Sequence, residues 1–277
     1  MAIVAGILVS AVLVPALDGQ ASWVFIAALM AVAAVGYVDD RRGLSVAARL
    51  GCHFMAATVC VLSIPTPERV LEVTALAPVM PVLLIVGVVW SVNLFNFMDG
   101  IDGLASSQAV FVLGSAALLS GSGAAATGFM LASAAACLGF LVWNWPPARI
   151  FMGDAGSGAL GLHLGVLAVA SAASGELSVW TWVILHGVFI VDATTTLLVR
   201  AWLRRPLGDA HRSHAYQHAA RASSHAHVIA AILSIEIGWL LPGAYVVERG
   251  LIPGYLGAAI ALTPILYACW KFRAGRE

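Results

Sequence analysis

Charged residues are scarce in this sequence of 277 residues. Only 10% are Asp, Glu, Lys or Arg, and the formal net charge is zero, whereas 61% are hydrophobic and the mean hydropathy is +0.95. A soluble domain of this length carries far more charge, so the composition predicts an integral membrane protein. The sequence has no continuous stripe of basic residues that could neutralise a run of phosphates along a duplex. This argues against a nucleic-acid partner.

Cysteine is also rare, and all four cysteines lie inside apolar runs: Cys52, Cys60, Cys137 and Cys269. Their spacing fits neither a metal site nor a disulfide framework, so we interpret them as small core residues. The N-terminus lacks a basic region followed by a clear cleavage site, and no signal peptide is predicted.

Long apolar runs, in contrast, fill the chain. Most of them are close to the ~20 residues that a bilayer-spanning helix needs. The ten segments are 2–17, 22–38, 46–64, 79–98, 105–121, 124–143, 156–173, 178–200, 226–246 and 251–270. They predict an all-α integral membrane protein with about ten transmembrane helices in a single polytopic domain, residues 1–277.

Basic residues are distributed unevenly between the two ends of these segments. If every segment spans, the connections after the second, fourth, sixth and eighth lie on the same side as both termini. All 14 Lys and Arg residues except Arg69 and Arg249 fall on or close to that side. The positive-inside rule makes this face cytoplasmic, and the candidate functional residues lie there, so we expect an active site formed by cytoplasmic loops.

The most informative connection begins inside the fourth segment. Four polar residues recur there every three positions: Asn93, Asn96, Asp99 and Asp102. This period can keep their oxygens on one side of an unwinding helix end, and Gly100 and Gly103 would let the backbone approach a ligand closely. Such oxygens suit a magnesium ion and phosphates. A capped helix end with ordinary turn residues is the alternative.

Two further connections carry carboxylates at helix ends. Asp39 and Asp40 follow the second segment, where the helix dipole is negative, and therefore need a cation, either nearby arginines or a metal. Asp154 stands in a Gly-rich stretch that leads into the seventh segment, so it can hold a metal while the backbone amides face phosphate. A solvated charged loop and a plain N-cap, respectively, are comparable alternatives.

The only sizeable polar segment follows the eighth apolar run. His211 and His214 can meet one ligand if the stretch is helical, and with Arg212 they suit an anion better than zinc. A solvent-exposed juxtamembrane loop is the alternative. His225 is expected at the membrane interface, and Asp192 is an intramembrane carboxylate that needs a partner the sequence does not name.

Four stretches of the sequence resemble, in the same order, the motifs of the polyprenyl-phosphate N-acetylhexosamine-1-phosphate transferases, the family of WecA-like and MraY-like enzymes. The matching pieces are Asp39-Asp40, residues 93–105, residues 144–157 and the histidine loop. The resemblance covers nearly the whole chain, and the HRSHAYQ string looks most like the WbpL-type O-antigen initiating transferases.

The resemblance implies transfer of an N-acetylhexosamine-1-phosphate from a UDP-amino sugar to polyprenyl phosphate, such as undecaprenyl phosphate, with UMP released and Mg²⁺ required. Together with the residue patterns, it gives these candidate catalytic residues: Asp39, Asp40, Asp99, Asp102, His211 and His214. The candidate substrate-binding residues are Asn93, Asn96, Gly100, Asn144, Phe151 and Arg212. The candidate metal ligands are Asp154 and Asp99.

The same resemblance implies a multi-pass protein of the bacterial inner membrane that initiates a cell-surface polysaccharide such as O-antigen. Its expected partners are a UDP-N-acetylhexosamine, a polyprenyl phosphate and the membrane, with a second copy of the chain as a further candidate. A polytopic transporter with a cytoplasmic-side anion site is the alternative function. That class predicts carboxylates near the middle of the bilayer and repeated halves.

Two features depart from the family pattern. Many relatives carry three clustered histidines, whereas only His211 and His214 match here, so His218 and His225 are expected to contribute little. The first residues look like the interior of the family's second helix, so we expect its first helix and basic loop to be missing.

Overall fold

The computed structural model describes residues 2–14, 17, 19–65, 78–121, 125–208 and 211–276, and these fold mainly into α-helices, with no β-strand among them. In chain order the helices are α1 (Ala2–Leu13), α2 (Gly19–Arg42), α3 (Val46–Ser63), α4 (Met80–Met98), α5 (Leu104–Leu119), α6 (Ala125–Asn144), α7 (Gly153–Ala173), α8 (Val179–Leu185), α9 (Gly187–Trp202), α10 (Ala215–Ala222), α11 (His225–Ile235), α12 (Leu241–Glu248) and α13 (Gly254–Lys271). A π-helical turn, Glu236–Leu240, joins α11 to α12.

The predicted all-α membrane architecture is confirmed. Within the described residues, six units are long and apolar enough to cross a membrane, namely α2, α3, α4, α6, α7 and the continuous unit from α11 to α12. The pair α8 and α9, bent by 74°, makes a seventh if it is counted as one span. The other three predicted segments correspond to α1, α5 and α13, which do not meet this length and composition, so the described residues support six or seven of the ten predicted spans. Residues 15, 16 and 124 of the predicted segments lie outside the described residues.

Helix α7 is the centre of the bundle, because 83% of the residues in its most apolar 18-residue stretch are buried inside the protein. Helices α2 and α4 are among the helices that pack against it. A Cβ atom on Gly36 of α2 would lie 2.5 Å from the backbone of Asp154 and Ala155, so only glycine allows this approach. The Ser91 hydroxyl of α4 donates to the Gly161 carbonyl of α7 at 2.8 Å. These contacts bring the C-terminal ends of α2 and α4 to the start of α7.

The bend between α8 and α9 occurs at His186, where the regular pattern of backbone hydrogen bonds is interrupted. The Leu185 carbonyl accepts a hydrogen bond from the Gln108 side chain of α5 (3.0 Å), and His186 Nδ1 lies 2.9 Å from the Trp182 carbonyl. Satisfying these carbonyls inside the protein makes a broken helix tolerable in a membrane. The bend directs α9 toward the histidine loop.

Candidate active site

Side chains from three helix ends meet beside the start of α7. The amide of Asn96, in the last turn of α4, donates to Asp154 Oδ1 at 2.8 Å. The backbone N–H groups of Asp154 and Ala155 donate to the Asp40 carboxylate at the end of α2, at 3.1 and 3.5 Å. Asp99 caps the C-terminus of α4. The N-terminal amides of α7, which we expected to face phosphate, are therefore partly occupied by Asp40.

Arg49 of α3 supplies positive charge to this acidic cluster, which we define as Asp39, Asp40, Asp99 and Asp154. Its Nη1 lies 2.7 Å from Asp39 Oδ2 and 3.6 Å from Asp154 Oδ2. Asp39 also accepts a hydrogen bond from the Leu44 backbone N–H, and its side chain is only 8% exposed. Because its oxygens are engaged by protein donors, Asp39 is better suited to orienting its neighbours than to taking a proton.

The acidic cluster has an excess of negative charge. Burial raises the pKa of Asp99 to about 8, and the charges of Asp154, Asp40 and Asp102 add to this effect. Asp99 therefore holds a proton at neutral pH unless a cation compensates the neighbouring carboxylates.

The oxygen donors of the cluster fit a magnesium ion chemically. Among the described residues, no three Asp, Glu, His or Cys side chains are close enough to hold a metal ion by themselves. Magnesium commonly binds through one or two carboxylates and completes its shell with water and phosphate oxygens. Asp99 and Asp154 remain the candidate ligands on this basis.

The raised pKa of Asp99 predicts that stability depends on pH when divalent cations are removed. The pKa moves from the ordinary value of 3.8 to about 8 in the fold, so the folded state binds the extra proton between these values. The free energy of unfolding should therefore fall as the pH rises through this window. Thermal unfolding in chelator at about pH 5 and about pH 8 tests this. Asp99→Asn should flatten the dependence, and an unchanged slope would contradict it.

The turn between α4 and α5, residues 99–103, is joined to the loop after α6 by Asn144. Its Oδ1 accepts from the Gly103 backbone N–H and the Ser106 hydroxyl, both at 3.1 Å, and its Nδ2 donates to the Ile150 carbonyl at 2.9 Å. Asn144 is only 2% exposed. The structure thus gives Asn144 a role in joining two loops that the sequence did not predict, and its contact with substrate stays a prediction.

His211 and His214 lie together, as predicted, but the stretch that carries them is not helical. Their rings stack instead, with centroids 5.1 Å apart, and His214 also stacks against Phe97 at the end of α4. His211 Nδ1 lies 3.1 Å from the Ser213 hydroxyl. Arg212, between them, is exposed. The histidine pair is therefore placed beside the turn that carries Asp99.

Asp192 of α9 holds this segment in position. Its carboxylate accepts from His214 Nδ1 (3.2 Å), from the backbone N–H groups of Ala215 and Tyr216 (3.0 and 2.9 Å) and from the Thr196 hydroxyl (3.1 Å). The missing partner of this carboxylate is thus the N-terminus of α10. Because a carboxylate only accepts, His214 Nδ1 carries the hydrogen, and Nε2 is the atom left for a substrate.

Tyr216 connects the histidine segment to the end of α4. Its hydroxyl donates to the Phe97 carbonyl at 2.9 Å. Burial, together with the charges of Asp192 and Asp99, raises the pKa of Tyr216 above its usual value. A Cβ atom on Gly100 would lie 2.2 Å from the Tyr216 hydroxyl, so glycine is required here by a protein contact as well as by any approach to a ligand.

Asn93 and Phe151 are two further predicted substrate-binding residues, and the structure shows how each side chain is placed. The Asn93 side chain donates to the Val89 carbonyl, one turn back in α4, at 2.7 Å. Phe151 precedes α7 and is 75% exposed, which leaves its ring free to stack on a base. Their contacts with substrate stay predictions.

His225, which was expected at the membrane interface and expected to contribute little, contacts the turn of residues 99–103, and its effect on activity stays a prediction. His225 Nδ1 accepts a hydrogen bond from the Asp102 backbone N–H at 3.3 Å and lies 3.5 Å from the Asp102 carboxylate. Asp102 also accepts from the Ala148 backbone N–H at 3.1 Å. His218, in contrast, is on the outer side of α10 and lies 2.9 Å from the Arg276 carbonyl. No local sequence pattern distinguishes His225, because its partner is distant along the chain.

The chain matches known proteins over the part that carries the acidic cluster. The model of glycosyl transferase family 4 matches residues 22–172, more than half of the chain. A phospho-N-acetylmuramoyl-pentapeptide-transferase from Gluconobacter oxydans (strain 621H) is 32% identical over 221 residues, which are 66% of this chain and 59% of the relative. A protein of the same name from Moorella thermoacetica is 41% identical over 124 residues, 44% of this chain and 36% of the relative.

A third relative, a probable undecaprenyl-phosphate N-acetylglucosaminyl 1-phosphate transferase from Bacillus subtilis (strain 168), is 30% identical over 218 residues. This match covers 74% of the chain and 60% of the relative. The chain therefore spans 60% or less of the length of these curated relatives. The family match includes the ends of α2 and α4 and the start of α7, where the acidic cluster lies. The chain belongs to glycosyl transferase family 4.

Proposed function

We propose that the chain transfers an N-acetylhexosamine-1-phosphate from a UDP-amino sugar to a polyprenyl phosphate, giving a polyprenyl-diphosphate-sugar and UMP. The observation that carries this proposal is the acidic cluster at the joined ends of α2, α4 and α7, beside the stacked pair of His211 and His214. The names of the relatives support the same chemistry. Two are phospho-N-acetylmuramoyl-pentapeptide-transferases, and the third is a probable undecaprenyl-phosphate N-acetylglucosaminyl 1-phosphate transferase.

A lipid substrate needs an apolar path that leads from the membrane to the reacting groups. A cavity of about 610 Å³ lies among α9, α10, α11 and α13, and its lining is mostly apolar. Asp192 and Tyr216 also line it, so part of the cavity adjoins the residues that hold His214. This supports placing the isoprenoid chain in the cavity with its phosphate near the histidines.

Asp99 and Asp154 are the residues that would hold a magnesium ion. When bound, the ion would neutralise the negative charge of the diphosphate. Phosphoryl transfer depends largely on such neutralisation. Asn96 fixes the orientation of Asp154, and Arg49 that of Asp39. A phosphate monoester is already mostly ionised at neutral pH, so its attack needs no obligatory base among these carboxylates. Positioning and charge complementarity are therefore the main contribution of the chain.

The finer assignments follow from the sequence resemblance. We propose a UDP-N-acetylhexosamine as the donor, undecaprenyl phosphate as the acceptor and initiation of a polysaccharide such as O-antigen as the role. Arg41 and Arg42 end α2 at the site, which supports placing the site on the cytoplasmic face of a bacterial inner membrane. A homodimer is part of the same proposal.

One observation favours the alternative of a transporter, namely the 74° break between α8 and α9, because broken helices line substrate paths in transporters. The acidic cluster, however, lies at helix ends and not near the middle of the spans. A surface position suits a reaction between a water-soluble nucleotide and a lipid headgroup.

Incubation of the purified full chain with polyprenyl phosphate and a panel of UDP-amino sugars tests the proposal. We expect UMP release with at least one sugar, dependent on polyprenyl phosphate and lost in excess chelator. Absence of UMP with every sugar, or UMP release that does not require the lipid, would contradict it.

A further inference from the structure

His225 is held against the turn of residues 99–103 by the packing of two helices. Tyr216 of α10 lies against Gly100, and Ile229 of α11 lies against Gly103, where an added Cβ would come within 3.1 Å of the isoleucine Cδ1. The start of α11 is therefore fixed over the turn. His225, the first residue of α11, contacts Asp102 because this packing holds the start of the helix in place.

The hydrogen bonds of His225 define which ring atom can meet a ligand. Nδ1 accepts from the Asp102 backbone N–H, so the hydrogen of a neutral ring is on Nε2. In the imidazolium both nitrogens carry hydrogen, and Nδ1 then faces the Asp102 carboxylate at 3.5 Å. Nε2 is thus a donor in either protonation state. The side chain is 40% exposed, and among the described residues none bonds to Nε2.

We propose that His225 is a substrate-contacting residue that donates a hydrogen bond from Nε2 to an oxygen of the uridine nucleotide. The proposal rests on the proposed function and adds a residue to the same site. Asp102 is a candidate catalytic residue at the border of that site, and the 211–214 stretch supplies only two imidazoles. His225 supplies a third imidazole from a different helix. The Nε2–H of His225 is therefore available to an oxygen of an anionic ligand, which needs hydrogen-bond donors of this kind.

Two conservative substitutions separate substrate contact from a merely structural role. In His225→Asn, the side-chain carbonyl can still accept from the Asp102 N–H at the place of Nδ1, but the outer donor is lost. In His225→Gln, the longer amide can place an N–H near the position of Nε2. We expect UMP binding to weaken about tenfold or more in His225→Asn and by less than about threefold in His225→Gln.

Isothermal titration of UMP into the full chain in detergent measures this difference, with thermal unfolding as the check on folding. His218→Ala and His227→Ala are matched controls and should bind UMP like the wild type, because these histidines bond to Arg276 and Ser224. Equal UMP affinity in His225→Asn and the wild type would overturn the proposal, and so would an equal loss in the Asn and Gln variants. Failure of the proposed function is distinguishable, because it appears as absent UMP release in the wild type.

Discussion

Asp154→Asn should abolish UMP release while leaving the chain folded. Asp154 is the point at which the ends of α2 and α4 meet the start of α7. Asn96 donates to it at 2.8 Å, and Arg49 Nη1 lies 3.6 Å from its Oδ2 as an ion-pair partner. The amide keeps the size of the carboxylate, so we expect little loss of stability. It removes the charge that a divalent cation requires. Turnover should fall at least about 100-fold, the scale of losing one preorganised charge-stabilising group.

UMP release measured over a range of Mg²⁺ concentrations checks this result. Glu248→Gln is a matched control, because it makes the same chemical change at the end of α12, where Glu248 accepts from the Ser178 backbone N–H at 3.0 Å. This control should keep turnover near that of the wild type even if its unfolding temperature falls. Near-normal turnover of Asp154→Asn, or full wild-type activity in excess chelator, would contradict the assignment of Asp154 to the metal.

The helices could be predicted because a bilayer imposes both their length and their composition. The bend at His186 could not, because residues 178–200 form one uninterrupted apolar run. The break depends on Gln108, a residue of another helix that satisfies the Leu185 carbonyl. Hydropathy reports the environment of a segment, and it does not report which neighbouring side chain stabilises an opened turn.

The meeting of Asp40, Asn96 and Asp154 could be anticipated, since all three stand at helix ends on one predicted face. The period of three that begins at Asn93 was less informative. Helix α4 ends at Met98, so Asn93 donates within its own helix, whereas Asp102 lies in the following turn and is bonded to other elements. A periodicity argument holds only while the backbone conformation stays the same.

The contacts that could not be predicted from the sequence join residues that are distant along the chain. Asp192 and His214 are 22 positions apart, and Asp102 and His225 are 123 apart. The sequence indicated that an intramembrane carboxylate needs a partner. Only the packing of α9, α10 and α11 over the 99–103 turn shows which residues become partners.

His214→Ala should lower turnover on the order of 100-fold while weakening substrate binding much less. The imidazole is fixed by Asp192 and by ring stacking, so its Nε2 can form a directed hydrogen bond that strengthens as charge shifts during transfer. UMP release and UMP titration measure the two effects separately. His218→Ala, on the exposed side of α10, should change neither. An equal loss of turnover in His218→Ala would show that the segment acts only as a structural unit.

Asp192 should act on turnover through His214, and a double-mutant cycle tests this dependence. Asp192→Ala removes the acceptor of four donors, so the unfolding temperature should fall and turnover should drop to about the level of His214→Ala. Once His214 is alanine, there is no imidazole left to orient. Adding Asp192→Ala should then reduce turnover by less than about threefold, because residues that act as a unit are not additive. Losses that multiply would instead mean that Asp192 affects the reaction independently of His214.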